Sequence, residues 1–131
     1  MINLTLVTPS KTYLNQKSVE EVIIPAYRGE IAILDGHSPL LTTLDAGVLQ
    51  YKLEGEKDFH RVAISWGYCE VGPDGVKVLS ETCESAKDVD KERAKQTKEN
   101  AIAKLMDKDI TPELIQKYQR KLRRAQARLD V

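Results

Sequence analysis

The chain has 131 residues, of which 41% are hydrophobic and 31% are charged. This length accommodates one ordinary domain, or one small domain with an appendage, and excludes a large multidomain enzyme. The 20 basic and 20 acidic side chains cancel, so the chain has no overall field that would attract nucleic acid or a membrane surface.

The zero net charge conceals an uneven distribution along the chain. Residues 1–84 carry seven basic and twelve acidic side chains, whereas residues 85–131 carry thirteen basic and eight acidic ones. An acidic part joined to a basic part indicates two units that differ in kind. We therefore predict two domains, 1–84 and 85–131.

Targeting segments are not visible in the sequence. No apolar run approaches the roughly 18 residues that span a bilayer, and the first residues lack the basic region and apolar core of a signal peptide. We expect an intracellular chain without direct membrane insertion. Cys69 and Cys83 have no metal-ligand spacing, and intracellular thiols stay reduced, so we interpret both as packing residues.

The first 83 residues show the pattern of a β-sandwich or flattened barrel. Short apolar or alternating runs are broken by turn residues about every eight to twelve positions. Predicted strands occupy residues 2–6, 19–24, 29–34, 47–53, 59–65, 68–71 and 76–79. The turn sequences at 54–57 and 72–75 predict two β-hairpins. We expect about ten short strands in all, with no room for a buried helix.

A shaped turn is predicted at residues 36–39, where Gly-His-Ser-Pro separates two apolar runs. The glycine tolerates positive φ, and the proline fixes its own φ and favours extended backbone before it. As a general base or metal ligand, His37 would need partners, and only Asp35 is close in sequence. A structural turn, or a rigid docking turn flanked by Glu30, fits the residues better than catalysis.

After Cys83 the composition changes to Ala, Lys, Glu, Gln and Arg, with no glycine and one proline, which favours helices. A first helix is predicted at residues 89–106. A second begins at Pro112, with Thr111 as N-cap and Glu113 near the positive helix end. The short link at 107–109 favours an antiparallel hairpin.

Both predicted helices carry narrow apolar stripes. The stripe of the second has steps of three and four residues and comprises Leu114, Tyr118, Leu122, Ala125 and Leu129. The thinner stripe of the first comprises Ala94, Ala101, Ile102 and Leu105. Such stripes bury little area, so we infer a hairpin that could open or move.

The other face of the second helix is strongly basic and comprises Lys117, Arg120, Lys121, Arg123, Arg124 and Arg128. Nucleic-acid binding is disfavoured because only Tyr118 supplies an aromatic ring. A solvated face is the simplest interpretation, and an acidic protein partner is the alternative. The sequence contains no phosphate-binding loop, dinucleotide fingerprint, nucleophile elbow or zinc-protease motif, so no catalytic machinery is visible.

Three segments together resemble the epsilon subunit of F-type ATP synthases, of bacterial or chloroplast type. The most specific is Gly-Glu-Ile-Ala-Ile-Leu-Asp-Gly-His-Ser-Pro-Leu-Leu-Thr, which begins at Gly29. Val-Ala-Ile-Ser-Trp-Gly-Tyr-Cys-Glu-Val at residues 62–71 and the two-helix ending support it. The resemblance covers nearly the whole chain.

This resemblance implies a flattened β-sandwich followed by an antiparallel helical hairpin, in a non-catalytic subunit of the central stalk. The sandwich, at 1–84, would bind the gamma shaft and the membrane rotor ring of c subunits. The hairpin, at 85–131, would be regulatory: it would extend along gamma toward the catalytic alpha and beta subunits and inhibit ATP hydrolysis. The implied location is peripheral, at the cytoplasmic face of a bacterial inner membrane or the stromal face of a thylakoid.

The resemblance also assigns site residues. The interface with gamma and the ring would comprise Glu30, Gly36, His37, Pro39 and Leu40. From the charge of the second helix we hypothesise an inhibitory basic face that comprises Arg120, Lys121, Arg123, Arg124 and Arg128. No catalytic or metal-binding residue and no required cofactor is implied.

Some bacterial members hold ATP through a motif resembling [I/L]-D-x-x-R-A, which residues 89–94 match with Val in the first position. The corresponding site would comprise Glu84, Val89, Asp90, Arg93, Ala94, Arg124 and Arg128. Asn100 stands where ATP-binding members tend to have another arginine. One fewer cation weakens the attraction for phosphate, so we expect ATP to be at most a weak regulatory ligand. The alternatives are a free-standing nucleotide sensor and a hydrolase that uses His37.

Overall fold

The computed structural model describes residues 1–131 as nine β-strands followed by two α-helices. The strands are β1 (Ile2–Val7), β2 (Thr12–Ala26), β3 (Gly29–Leu34), β4 (Leu40–Leu44), β5 (Gly47–Leu53), β6 (His60–Ile64), β7 (Gly67–Gly72), β8 (Gly75–Ser80) and β9 (Cys83–Ser85). The helices are α1 (Lys91–Leu105) and α2 (Pro112–Asp130). The predicted fold class, a β-sandwich followed by a two-helix hairpin, is confirmed.

Strand β2 organises the sheet because it pairs with four other strands. Its first half pairs with β1, and its second half has β3 on one edge and β5 on the other. Strand β1 also pairs in parallel with β8, so the order β1-β8-β7-β4-β2-β5-β6-β9 closes back onto β2. Both predicted hairpins, β5–β6 and β7–β8, are present as antiparallel pairs.

The prediction of uniformly short strands was wrong for β2, which has 15 residues rather than the six expected at 19–24. Its first seven residues are exposed or half-buried and largely polar, so they carry no hydrophobic alternation. Gln16 adopts a positive φ of 49°, and the register with β1 shifts nearby. An irregular, solvent-facing stretch of strand has no periodic signal in its sequence.

The hydrophobic core lies wholly inside the sandwich and contains 17 buried residues between Ile2 and Cys83. Side chains from alternate strand positions supply it, as in β1, where every second residue from Ile2 to Leu6 is buried. Cys69 and Cys83 are free thiols in this core, which confirms them as packing residues. Burial raises the pKa of each thiol to about 12, so neither is an available nucleophile near neutral pH.

Each helix of the hairpin begins directly after an N-cap residue. Asp90 caps α1 by accepting from the backbone N–H of Arg93, and Thr111 caps α2 by accepting from that of Leu114. The helix start predicted at Pro112 is confirmed. Lys91 Nζ donates to the carbonyl oxygens of Arg128 and Leu129, so the start of α1 lies beside the end of α2 and the pair is antiparallel.

Fewer residues are buried between the two helices than the predicted apolar stripes contain. Ala94, Ala101 and Ala125 are buried as expected. Ile102 is 39% exposed and Leu114 is 41% exposed, so the contact weakens toward the hairpin turn. Neither helix has an apolar stretch sufficient to cross a membrane.

The division at residue 84 into a docking and a regulatory domain stays a prediction. β9 crosses that position, because it pairs with β6 from Cys83 to Ser85. Only five residues then separate β9 from α1. The hairpin is therefore attached through a short segment that leaves directly from the edge strand β9.

Gly67 provides a test of the sandwich. A Cβ at this position would lie 1.8 Å from the carbonyl oxygen of Leu79, a clash that only a backbone shift could relieve. We expect Gly67→Ala to destabilise the fold by about 1 to 3 kcal/mol, the usual cost of overpacking. Gly72→Ala is the matched control, since a Cβ there would meet nothing within 4 Å. Urea unfolding measures both, and equal midpoints for the two variants would contradict the close β7–β8 approach.

Candidate docking turn and basic helix face

The turn at residues 36–39 is held by its own backbone. Gly36 adopts a φ of +82°, and the backbone N–H of His37 donates to the carbonyl oxygen of Leu34 at 3.1 Å. His37 Nδ1 donates to the carbonyl oxygen of Ser38 at 2.7 Å. The imidazole thus stiffens the turn, and no carboxylate contacts it to orient it as a base. His, Cys, Asp and Glu side chains form no metal-binding cluster in this chain.

The predicted docking residues do not form one patch. Gly36, His37 and Pro39 line a cleft of about 350 Å³ beside the β7–β8 turn. Glu30 lies at the far end of β3, about 13 Å from Leu34 at the usual rise per strand residue. Leu40 is half-buried against the core. The structure therefore brings three of the five residues together and separates the other two by burial or distance.

Exposed apolar side chains beside this turn were missed by the sequence analysis. Leu34 is 56% exposed, and Leu41 is 71% exposed. Ile31 and Ile33 point inward from β3, so Leu34 falls on the outer face by the two-residue strand period. That period was the available signal, because an apolar residue out of phase with the core positions is a candidate contact.

Part of the basic face of α2 lies against the sandwich. At 100° per residue, its six basic side chains fall within an arc of about 160°, and Ala127 lies inside the same arc. Ala127 is only 3% exposed, and α2 packs against β5 and β6 as well as α1. The sandwich therefore covers part of the basic side of the helix.

Three arginines of this face meet carboxylates of the sandwich. Arg128 Nε lies 2.8 Å from Glu84 Oε1, in a half-buried pair. Arg123 lies 3.5 Å from Asp45 Oδ2, and Arg120 lies 3.6 Å from Glu81 Oε1.

Trp66 joins two of these contacts. Its indole Nε1 donates to Asp45 Oδ1 at 3.0 Å, and the guanidinium of Arg120 lies 3.8 Å above its ring. Stacking of this kind holds a guanidinium over a flat aromatic face. Trp66 therefore contacts the middle of α2 through Arg120.

The solvated interpretation holds for Arg120 and Arg123, whose side chains stay 53% and 57% exposed, whereas that of Arg128 is 31% exposed. The sequence analysis did not predict that all three arginines also pair with the sandwich. Their partners are distant in sequence, at positions 45, 81 and 84, and only the fold brings them to one side of the sandwich. Lys117, Lys121 and Arg124 form no ion pair and border an open cleft beside Trp66.

The residues of the predicted nucleotide site are partly engaged already. The carboxylate of Glu84 neutralises Arg128, and Asp90 is committed to capping α1. Val89 and Ala94 are buried. Arg93 has no ion-pair partner, and Arg124 lies beside Trp66. The structure joins Glu84 to Arg128 without gathering all seven residues around one cavity.

Comparisons with known protein sequences all match one protein family. The family model of the ATP synthase delta/epsilon chain β-sandwich domain matches residues 1–86. An ATP synthase epsilon chain of Bdellovibrio bacteriovorus is 39% identical over 129 residues, covering 98% of this chain and 92% of that protein. An ATP synthase epsilon chain of Citrifermentans bemidjiense is 40% identical over 132 residues, covering 99% and 92%.

Chains in two solved structures have a fold similar to that of this chain. A chain of the Euglena gracilis mitochondrial ATP synthase, in an OSCP/F1/c-ring structure, aligns with a TM-score of 0.86 and 25% identity over 98% of this chain and 79% of that one. A chain from the central stalk and c-ring structure of the Tetrahymena thermophila mitochondrial enzyme shares the fold, with a TM-score of 0.61, 18% identity and coverage of 96% and 90%. This chain therefore belongs to the epsilon-chain family of ATP synthases, and its structural relatives lie in the F1/c-ring part of that complex.

Proposed function

We propose that this chain is a non-catalytic subunit of the central stalk, which couples the gamma shaft to the ring of c subunits during proton-driven ATP synthesis. The observation that carries the proposal is the stiffened turn at 36–39 with exposed Leu34 and Leu41 beside it. A preformed turn loses little conformational entropy on docking, and exposed apolar side chains are what a protein interface buries. This surface would contact gamma and the ring.

The bacterial relatives favour the cytoplasmic face of a bacterial inner membrane over the stromal face of a thylakoid. Attachment there would be peripheral, through the partner subunits. No cofactor is required for this role, and nucleic acid is not a partner.

Purification from native membranes tests the stalk assignment. A C-terminally tagged chain, extracted in mild detergent, should carry stoichiometric alpha, beta and gamma subunits, identified by mass spectrometry. Leu41→Glu should weaken this association, because it places a charge where apolar contact is proposed. Lys57→Glu, in the β5–β6 turn, is the control and should leave it intact. Recovery of the tagged chain alone would contradict the stalk assignment.

We further propose that the hairpin inhibits ATP hydrolysis when it extends from the sandwich toward the alpha and beta subunits. Extension would free the arginines now paired with the sandwich, and the whole basic face could then meet acidic groups on those subunits. None of the hairpin residues belongs to the core, which supports a low cost of departure.

Charge neutralisation tests the inhibitory face. Replacing Arg123, Arg124 and Arg128 by Gln should relieve inhibition of ATP hydrolysis by the assembled complex, because the attraction to acidic subunits is lost. Two of these arginines also bind the sandwich, so a second set, Lys117, Lys121 and Arg124, removes three unpaired charges instead. The control neutralises lysines of α1, namely Lys95, Lys98 and Lys104. Unchanged inhibition in both α2 variants would exclude this role.

ATP binding is proposed to be weak or absent. A phosphate would have to compete with Glu84 for Arg128, and Asn100 supplies no replacement cation. Calorimetric titration of the isolated chain with Mg-ATP should show at most millimolar affinity, about 4 kcal/mol of binding free energy. Tight binding that is lost in Arg93→Ala, accompanied by compaction without any partner, would instead favour the free-standing nucleotide sensor.

A further inference from the structure

The contact between α2 and the sandwich contains little apolar area. Ala125 and Ala127 are both buried, and residues two apart on a helix point about 200° away from each other. Helix α1 therefore covers one side of α2, and the sandwich covers the other. Because the buried side chains are alanines, hydrophobic burial alone provides a weak attachment.

Charged contacts are distributed along this same side of α2. They begin with Arg120 at Glu81, continue with Arg123 at Asp45, and end with Arg128 at Glu84. Beyond the last pair, Arg61 of β6 donates to the carbonyl oxygen of Asp130 at 3.0 Å. Each exposed pair contributes little by itself, but four contacts in a row constrain the helix over its last three turns.

Asp45 is held ready for this contact by the sandwich itself. Its Oδ1 accepts from the indole of Trp66 and from the backbone N–H of Ala46, which leaves Oδ2 directed at Arg123. The carboxylate does not need to be ordered when the helix arrives, so little entropy is lost on closing.

We propose that these contacts form a salt-sensitive clasp, which holds the hairpin on the sandwich by pairing three arginines of the basic face with this chain's own carboxylates. Screening the charges, or breaking the Glu84–Arg128 pair, releases α2 together with α1. The clasp requires no ligand and no partner subunit. It is a property of the chain alone. It rests on the proposed function for its role in inhibition and deepens that function, because it sets when the basic face becomes available to an acidic partner.

Trp66, the only tryptophan of the chain, reports the state of the clasp. Helix α2 covers its ring through Arg120, so release should expose the indole to acrylamide, an uncharged quencher. Raising KCl from about 0.1 M to about 1 M shortens the screening length from about 10 Å to about 3 Å. We expect the quenching constant to rise about twofold over this range, with unchanged secondary structure by circular dichroism.

A charge swap identifies the pair responsible. Glu84 pairs with Arg128, whereas the indole contacts Asp45 and Arg120. Glu84→Arg places two arginines together, so quenching should already be high at low salt. The double variant Glu84→Arg/Arg128→Glu should restore low quenching. Glu70→Arg, an exposed position without an ion pair, is the control and should behave like the unmodified chain.

The clasp would be excluded if the quenching constant changed neither with salt nor in the Glu84→Arg variant. It would also be excluded if the double variant were quenched like the single one. These measurements use the isolated full-length chain, so they succeed or fail independently of its assembly into the stalk.

Discussion

All 17 residues of the hydrophobic core lie between Ile2 and Cys83, so the helical hairpin must be stabilised by something other than that core. Its helices bury alanines against each other and against the sandwich, which yields little hydrophobic free energy. What remains is charge: an acidic sandwich faces a basic helix, and three carboxylates meet three arginines. The confinement of the core to the sandwich and the charged contacts of the hairpin both reflect this one division of the apolar residues.

The division fits the proposal of a docking sandwich and a movable hairpin. The sandwich closes its strand order onto β2 and presents a stiff turn at 36–39, as docking requires. The hairpin depends on contacts that water and salt weaken. A structure attached in this way can leave its resting place without unfolding the core.

Much of this fold could be predicted from local sequence patterns. The alternation in β1, the turn residues at 54–57 and 72–75, and the Thr111-Pro112 helix start all act over a few residues, and each was confirmed. The first half of β2 could not be predicted, because its polar residues pair with β1 while facing solvent.

The ion pairs of the basic face could not be predicted either. Charge counts predicted an acidic and a basic part, but not that Asp45, Glu81 and Glu84 converge on one side of the sandwich. That convergence depends on long-range strand pairing, in which β6 holds β9 and β5 follows directly after the loop that carries Asp45. Leu34 differs from these ion pairs, because the two-residue period of β3 already indicated that its side chain points outward, and the sequence analysis missed that signal.

The central claim is that the hairpin must leave the sandwich to inhibit ATP hydrolysis, and a reversible cross-link tests it most directly. Cysteines placed at Arg61 and Asp130, which are in contact and lie outside the inhibitory basic face, can be joined in the assembled complex by a short bis-methanethiosulfonate reagent, whose disulfides a reductant cleaves. The native thiols are buried with raised pKa values, so they should not react. The account predicts that cross-linking relieves inhibition and that cleavage restores it. Full inhibition with the hairpin completely cross-linked to the sandwich would contradict it.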